Sequence, residues 1–325
     1  MHRFQCPSCA HEVFFANTTC LSCGTTLVYA PDAGFLPSTT GAAGCANRAV
    51  IGCNWSAEDA DGLCLSCRHT ALVPDLGVHG NTERWARIES AKRPVIRALH
   101  HLSLPLADAQ GNPAPVFQFK GDPLDRRQPR IVTGHRNGTI TLNIAEADDA
   151  EREAMRSAMG EPYRTLSGHF RHEIAHHYWD VLTAEKPALL ESLRAVFGDE
   201  RQDYAAALRA HYDNGPPADW EATYVSAYAS AHPAEDFAET WAHVLHLLEG
   251  LETARAFGLV TERLPLEMAE LVVLPMTGLT RVWIDLCAAL NVVNQAMGHE
   301  TFYPFVLNPP VIAKMEAVRQ LILAR

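Results

Sequence analysis

Eight of the nine cysteines lie between Cys6 and Cys67. Four of them form two C-x-x-C pairs ten residues apart, Cys6–Cys9 and Cys20–Cys23. Two such pairs make knuckles that grip one ion with four thiolates, a tetrahedral set suited to zinc. The apolar runs Val13–Phe15 and Leu27–Tyr29 suit the short strands of a zinc ribbon. A redox dithiol would open a helix within a βαβ pattern, and none surrounds these pairs. Cys45, Cys53, Cys64 and Cys67 follow as C-x7-C-x10-C-x2-C. Only half of this second set is a knuckle, but its count suits another four-cysteine zinc site. Spacing leaves open whether the two sets pair sequentially or interleave. A segment this small buries too little apolar surface to fold unaided, so metal supplies folding energy. Both sites are closed and therefore structural.

The remainder of the 325 residues is long enough for a sizeable core, giving an expected division into a ribbon region, 1–75, and a second domain, 76–325. The N-terminus enters the cysteine motif directly, without a basic-then-apolar signal segment, and no apolar run near 18 residues is evident. These features predict a cytoplasmic protein without a membrane span, in a compartment where thiols stay reduced. The net charge of −11 opposes wrapping of nucleic acid. Within 1–75, Arg3, Arg48 and Arg68 face Glu12, Asp32, Glu58, Asp59, Asp61 and Asp75. Phosphate contacts need a basic face, so a protein partner is the better expectation for the ribbons.

Further along, His172-Glu173-Ile174-Ala175-His176 is an H-E-x-x-H. Leu166, Phe170, Ile174 and Tyr178 recur every four residues, which predicts a helix with one apolar stripe. Residues four apart share a helix face, so His172 and His176 can offer both imidazoles to one Zn²⁺. Glu173 is near enough to act on a water there, which is the metalloprotease arrangement. A five-residue pattern also arises by chance in a chain with 16 histidines, and a third ligand decides the matter. Asp180 would lie roughly 12 Å along the axis from His172, too far to join both histidines. A Gly at 179 would be needed for the H-x-x-G-x-x-H alternative, and Trp179 stands there. The remaining candidate is Glu235-Asp-Phe-Ala-Glu239, on a helix opened by Pro233. One carboxylate can bind zinc while the other, a turn away, accepts a hydrogen bond from a ligating imidazole. An acidic first turn favoured by the helix dipole would read the same.

The other elements expected are a helix from Thr82 to Leu106, capped by Asn81 or Thr82 and interrupted or kinked at Pro94, and a strand at Val116–Phe119. Arg130–Thr133 and Thr139–Ile144 flank an Asn-Gly turn and predict a hairpin with Ile140, Leu142 and Ile144 on one buried face. Helices are expected at Glu151–Met159, Pro187–Phe197 and Asp203–Tyr212, and on both sides of His232-Pro233. Two more are expected at Leu271–Gly298 and Pro310–Leu323, with Cys287 a buried core residue.

HEIAH followed by E-D-F-A-E resembles the gluzincins, and Tyr228-Ala-Ser-Ala-His-Pro-Ala-Glu235-Asp-Phe-Ala-Glu239 is similar to their lethal-factor-type branch. The resemblance implies Glu235 as third zinc ligand, Glu239 as support for an imidazole, and Tyr228 as donor to the oxyanion. Asp236 is the alternative ligand, pointing about 100° round the helix. CANRAVIGCNW, GLCLSCR, GHRNGTITLNIAEADDAERE, GEPYRTLSGHFRHEIAHHYWD and SAYASAHPAEDFAETWAH more closely resemble a bacterial zinc-dependent metallopeptidase family with an N-terminal zinc-ribbon region. This likeness runs to about residue 260 and strengthens the site more than it identifies a substrate.

Together these readings predict an α+β, mainly α, zincin-like domain with a small sheet before the H-E-x-x-H helix, preceded by the ribbon region. The expected function is hydrolysis of peptide or protein substrates, with one catalytic and two structural Zn²⁺ and Glu173 as general base. Two rivals are a zinc-holding interaction module without turnover, which the base at Glu173 opposes, and a ribbon-led nucleic-acid-associated regulator, which the charge opposes. Hydrolysis of a non-peptide amide is a weaker third.

Overall fold

The computed structural model describes residues 2–37, 40–123, 125, 127–159, 165–260 and 263–325. Residues 160–164, which carry part of one family-like phrase, lie outside the described residues. The chain is mostly helical with small sheets, and its contacts form two compact units, Met1–Ala154 and Met155–Arg325.

The first unit opens with two antiparallel pairs, β1 (Phe4–Gln5) with β2 (Glu12–Val13) and β3 (Tyr29–Ala30) with β4 (Gly34–Phe35). Its two C-x-x-C knuckles have the same backbone closure. Cys6 N donates to His11 O at 2.8 Å and Ala10 N to Cys6 O at 2.9 Å, while Cys20 N donates to Thr25 O and Gly24 N to Cys20 O, both at 2.9 Å. Each closure puts the residue after the second cysteine in the left-handed region, Ala10 at φ 59° and Gly24 at φ 75°. Phe4, Phe15, Tyr29, Phe35 and Trp55 form a small aromatic core, with Phe15 and Tyr29 edge-on at 4.9 Å and Tyr29 and Trp55 at 5.4 Å. The short helix α1 (Arg48–Ile51) ties the cysteine sets together, because Arg48 donates to Leu27 O at 3.0 Å and Thr18 O at 2.6 Å.

After β5 (Thr70–Leu72) comes α2 (Asn81–His101), continuous through Pro94. Of the interruption or kink expected at Pro94, the interruption does not occur. Buried Trp85 and Ile88 before it, and Val95, Ile96 and Leu99 after it, hold both halves on one core. That packing outweighs the roughly 3 kcal/mol an interior proline costs. The cap is also corrected: Gly80 is the N-cap, and Asn81 instead donates its side-chain amide to Asp75 O at 2.8 Å. Buried Lys92 of α2 contacts Glu89 at 3.0 Å and lies over the rings of Phe117 and Phe119.

Strands β6 (Val116–Lys120), β7 (Gly134–Arg136) and β8 (Thr139–Asn143) complete a sheet ordered β5-β6-β8-β7, in which only the β7–β8 pairing is antiparallel. The hairpin is present, but its first strand starts at Gly134 rather than Arg130. Asn137 at φ 48° and Gly138 at φ 76° give the primed turn that Asn-Gly favours. Ile140, Leu142 and Ile144 are buried, as the alternation predicts. Helix α3 (Asp149–Met159) contains the junction of the two units.

In the second unit α4 (Leu166–Thr183) begins at Thr165, whose hydroxyl accepts from Gly168 N at 2.9 Å. Next come α5 (Pro187–Phe197), α6 (Tyr204–Asn214), α7 (Pro233–Ala256), α8 (Met268–Leu271), α9 (Met276–Ala296) and α10 (Pro309–Leu323). The helix expected before His232-Pro233 is instead two 3₁₀ turns, Trp220–Ala222 and Tyr228–Ala231. Helix α7 carries the core: Phe237, Trp241, Leu245, Leu248 and Leu251 are fully buried, and Trp241 stacks on Tyr178 of α4 at 5.3 Å. On α7, Gly250 admits the Trp283 ring of α9, where a Cβ would overlap the ring atoms.

Helix α9 is long and apolar enough to cross a membrane by length and composition only, and its run of apolar residues is not continuous. Arg281, Asp285 and Asn291 break that run in the sequence. In the fold Leu279, Trp283, Leu286 and Cys287 form its buried face, while Ile284, Val292 and Val293 are exposed.

Candidate metal centres

The eight N-terminal cysteines gather in sequence order, Cys6, Cys9, Cys20 and Cys23 in one group and Cys45, Cys53, Cys64 and Cys67 in the other. Every one is an unpaired thiol. Sγ separations are 3.7 Å for Cys6–Cys23, Cys9–Cys20 and Cys53–Cys64, and 3.8 Å for Cys53–Cys67. Zn–S bonds of about 2.3 Å in a tetrahedron put sulfurs about 3.8 Å apart, so both groups fit zinc. The groups differ in shielding. Cys9 and Cys23 are exposed, whereas all four sulfurs of the second group belong to buried residues. The Thr25 hydroxyl, 3.2 Å from Cys23 Sγ, and the Thr25 backbone hold that thiol down to about 6.

The third cluster is built on α4 and α7. Phe170, Ile174 and Tyr178 turn one face of α4 into the core, which fixes where His172, Glu173 and His176 point. Ligand atoms of His172, His176 and Glu235 all lie within 4.8 Å of one another. His172 Nε2 is 2.9 Å from Glu235 Oε2, and His176 Nε2 is 3.7 Å from Glu235 Oε1. Glu235 is buried in the first turn of α7, where Pro233 starts the helix and His232 Nδ1 accepts from Ala234 N at 3.1 Å.

Surrounding contacts orient these groups. Glu239 Oε1 lies 2.7 Å from His172 Nδ1, and its other oxygen accepts from Ser226 Oγ at 2.7 Å. With Nδ1 donating to Glu239, Nε2 of a neutral His172 presents a lone pair toward Glu235. Glu235 Oε2, although close to that nitrogen, is a buried oxygen with no hydrogen-bond donor. Two inward-facing acceptors with Glu173 and Glu239 nearby call for a cation, and this donor set suits zinc. Without an ion, burial pushes His172 down, but Glu235 and Glu239 outweigh it and hold its pKa well above the usual value. Burial likewise pushes Glu235 up, and His172 reverses this to leave its carboxyl at about 2.

Glu173 is buried, 4.0 Å from His169 Nε2. Tyr228 stands on the 3₁₀ turn before α7 with its ring 6.0 Å from that of His172. Burial, then the Glu235 charge, raises the Tyr228 pKa and keeps its phenol protonated. Asp236 is directed elsewhere, to a 2.6 Å ion pair with buried Lys314. Asp180 is exposed and outside the cluster. Two participants were not foreseen: Ser226, and Tyr204, whose hydroxyl donates to Glu235 Oε1 at 2.8 Å. Nothing local marks either one, since their aim depends on where α6 and the 3₁₀ turn meet α7.

Comparison with known proteins adds a zinc-ribbon domain match over residues 3–78. Uncharacterized proteins of Mycobacterium bovis and of two Mycobacterium tuberculosis strains are 40% identical to the chain over 328 residues, covering 99% of it and 95% of each of them. No solved structure matches the chain significantly. With the zinc-fitting cluster on α4 and α7 and a model match over residues 81–321, the chain belongs to the family described as "Putative zinc-binding metallo-peptidase".

Proposed function

We propose that the chain is a zinc-dependent peptidase of gluzincin type, with a zincin-like layout and a catalytic zinc held by His172, His176 and Glu235. One observation carries this reading: two imidazoles and the donor-less, buried Oε2 of Glu235 converge beside Glu173. A zinc ion there supplies a Lewis acid that polarises a peptide carbonyl and lowers the pKa of a water toward neutral. Glu173 takes the proton of the attacking water and passes it to the leaving amine. Protonated Tyr228 donates to the developing oxyanion. Glu239 keeps His172 in the tautomer that turns Nε2 toward the site.

The two four-cysteine groups hold one structural zinc each under this reading, giving three ions per chain. The functional boundary falls near residues 75 and 76, between a ribbon region that docks a protein partner and the peptidase domain. The unpaired thiols suit a reducing compartment, the cytoplasm.

Zinc content measured after purification without added metal tests the site. Three ions in the wild type and two in a His172→Ala, His176→Ala variant are expected, and two in both after zinc add-back would refute it. A peptide-pool digest then tests turnover: cleavage products must appear with wild type and vanish with Glu173→Gln.

A further inference from the structure

The search for a role outside the proposed machinery converges on Tyr204. It is the first residue of α6, a helix in which no residue is fully buried, so helix packing alone does not aim this side chain inward. The aim comes from the preceding loop. Asp203 caps α6 by accepting from Ala206 N at 2.9 Å, and His232 Nε2, 3.3 Å from Gln202 O, fastens the loop to the start of α7. The His232 ring then meets the Tyr204 ring edge-on at 5.1 Å.

From there the Tyr204 hydroxyl donates to Glu235 Oε1 at 2.8 Å. A phenol has one proton, and a carboxylate acceptor holds it in a charge-assisted bond. The two oxygens of Glu235 thereby become unequal. Oε1 is occupied, while Oε2 is the buried, donor-less atom facing His172.

We propose that Tyr204 is a positioning residue for the metal site: it holds one oxygen of Glu235 and so presents the other to the ion. This rests on the zinc-peptidase reading, in which Glu235 is a ligand. Tyr204 itself is not one of the three groups that could hold the ion. Because Tyr204 is substantially exposed (44%), removal of the hydroxyl alone is expected to leave the fold in place.

The test compares wild type and Tyr204→Phe as full chains with both thiolate sites loaded. Affinity of the third site is read by competition with a zinc chelator, and its ligand geometry by the visible spectrum of the Co²⁺-substituted protein. Tyr204→Phe is expected to bind the third ion about 10- to 100-fold more weakly, the range for loss of a group that supports a ligand. An altered cobalt band and an unchanged melting temperature of the third-site-empty protein should accompany this, which a merely structural role would not give. Wild-type affinity and spectrum in the variant would overturn the role of Tyr204 alone. A wild type that takes no third ion would instead overturn the zinc-site reading, and this proposal with it.

Discussion

The thiolate centres and the histidine–carboxylate cluster solve opposite problems with similar chemistry. Around the cysteines there is little else to hold the chain: two-residue strands, a four-residue helix and one aromatic cluster. Around His172 and Glu235 the protein is already built. Phe170, Ile174 and Tyr178 of α4 and Phe237 and Trp241 of α7 are fully buried, and Tyr178 stacks on Trp241. In the first region, under the proposed reading, an ion replaces a core, with four sulfurs placed to close round it. In the second, under the proposed reading, a core presents His172, His176 and Glu235 to an ion that must also admit a reactant. An ion that scaffolds must be enclosed, and an ion that reacts must be approachable.

The largest effect should separate these two roles. Structural zinc contributes roughly 10–16 kcal/mol in small zinc modules, so chelation strong enough to empty the thiolate sites should unfold the ribbon. Hydrogen exchange is expected to show residues 4–36 losing protection while α4 and α7 keep theirs. Loss of protection in α4 and α7 at the same chelator concentration would break the comparison.

Substitutions within the helical framework should then act without regard to zinc. Trp241→Ala removes a fully buried side chain and should cost about 3–5 kcal/mol. Lys314→Ala strands buried Asp236 and should cost about 3–5 kcal/mol as well. Denaturant titrations with the third site filled and empty check both values; if the loss appears only when that site is filled, the ion is scaffolding here too. Glu173→Gln should have the opposite profile. It should lower peptidase turnover on the order of 10²- to 10⁴-fold while melting temperature and zinc count stay constant.

How far these differences can be read from sequence follows the range of the interactions involved. Repeating apolar positions such as Phe170, Ile174 and Tyr178 announce α4, and Asn137-Gly138 announces its hairpin, because these signals reside within a few residues. Pro94 misleads because a local cost is overruled by Trp85, Ile88, Val95 and Leu99, whose burial is set by distant partners. The segment before Pro233 has helical composition, yet Ser226 uses its hydroxyl both to receive Ala229 N and to donate to Glu239, which fixes a 3₁₀ turn. Tyr204 is invisible for the same reason. Its partner lies 31 residues away, and only the folded loop through Gln202 and His232 brings the pair together.

The smallest prediction sharpens the comparison within the thiolate region itself. Both knuckles need a left-handed residue after their second cysteine, and the chain supplies Gly24 in one and Ala10 in the other. A side chain there costs roughly 1–2 kcal/mol, while the extra freedom of an unfolded glycine costs roughly 0.5–1 kcal/mol. Ala10→Gly should therefore tighten the first knuckle by about 0.5–1 kcal/mol, and Gly24→Ala should loosen the second by a similar amount. Because Cys9 and Cys23 are the exposed members of the set, the change is measurable as the rate at which a thiol reagent releases the first zinc. Slower release from Ala10→Gly and faster release from Gly24→Ala are expected, with the buried second group unaffected. Equal rates in all three proteins would mean that the ion, by closing both knuckles, already dominates the backbone preference.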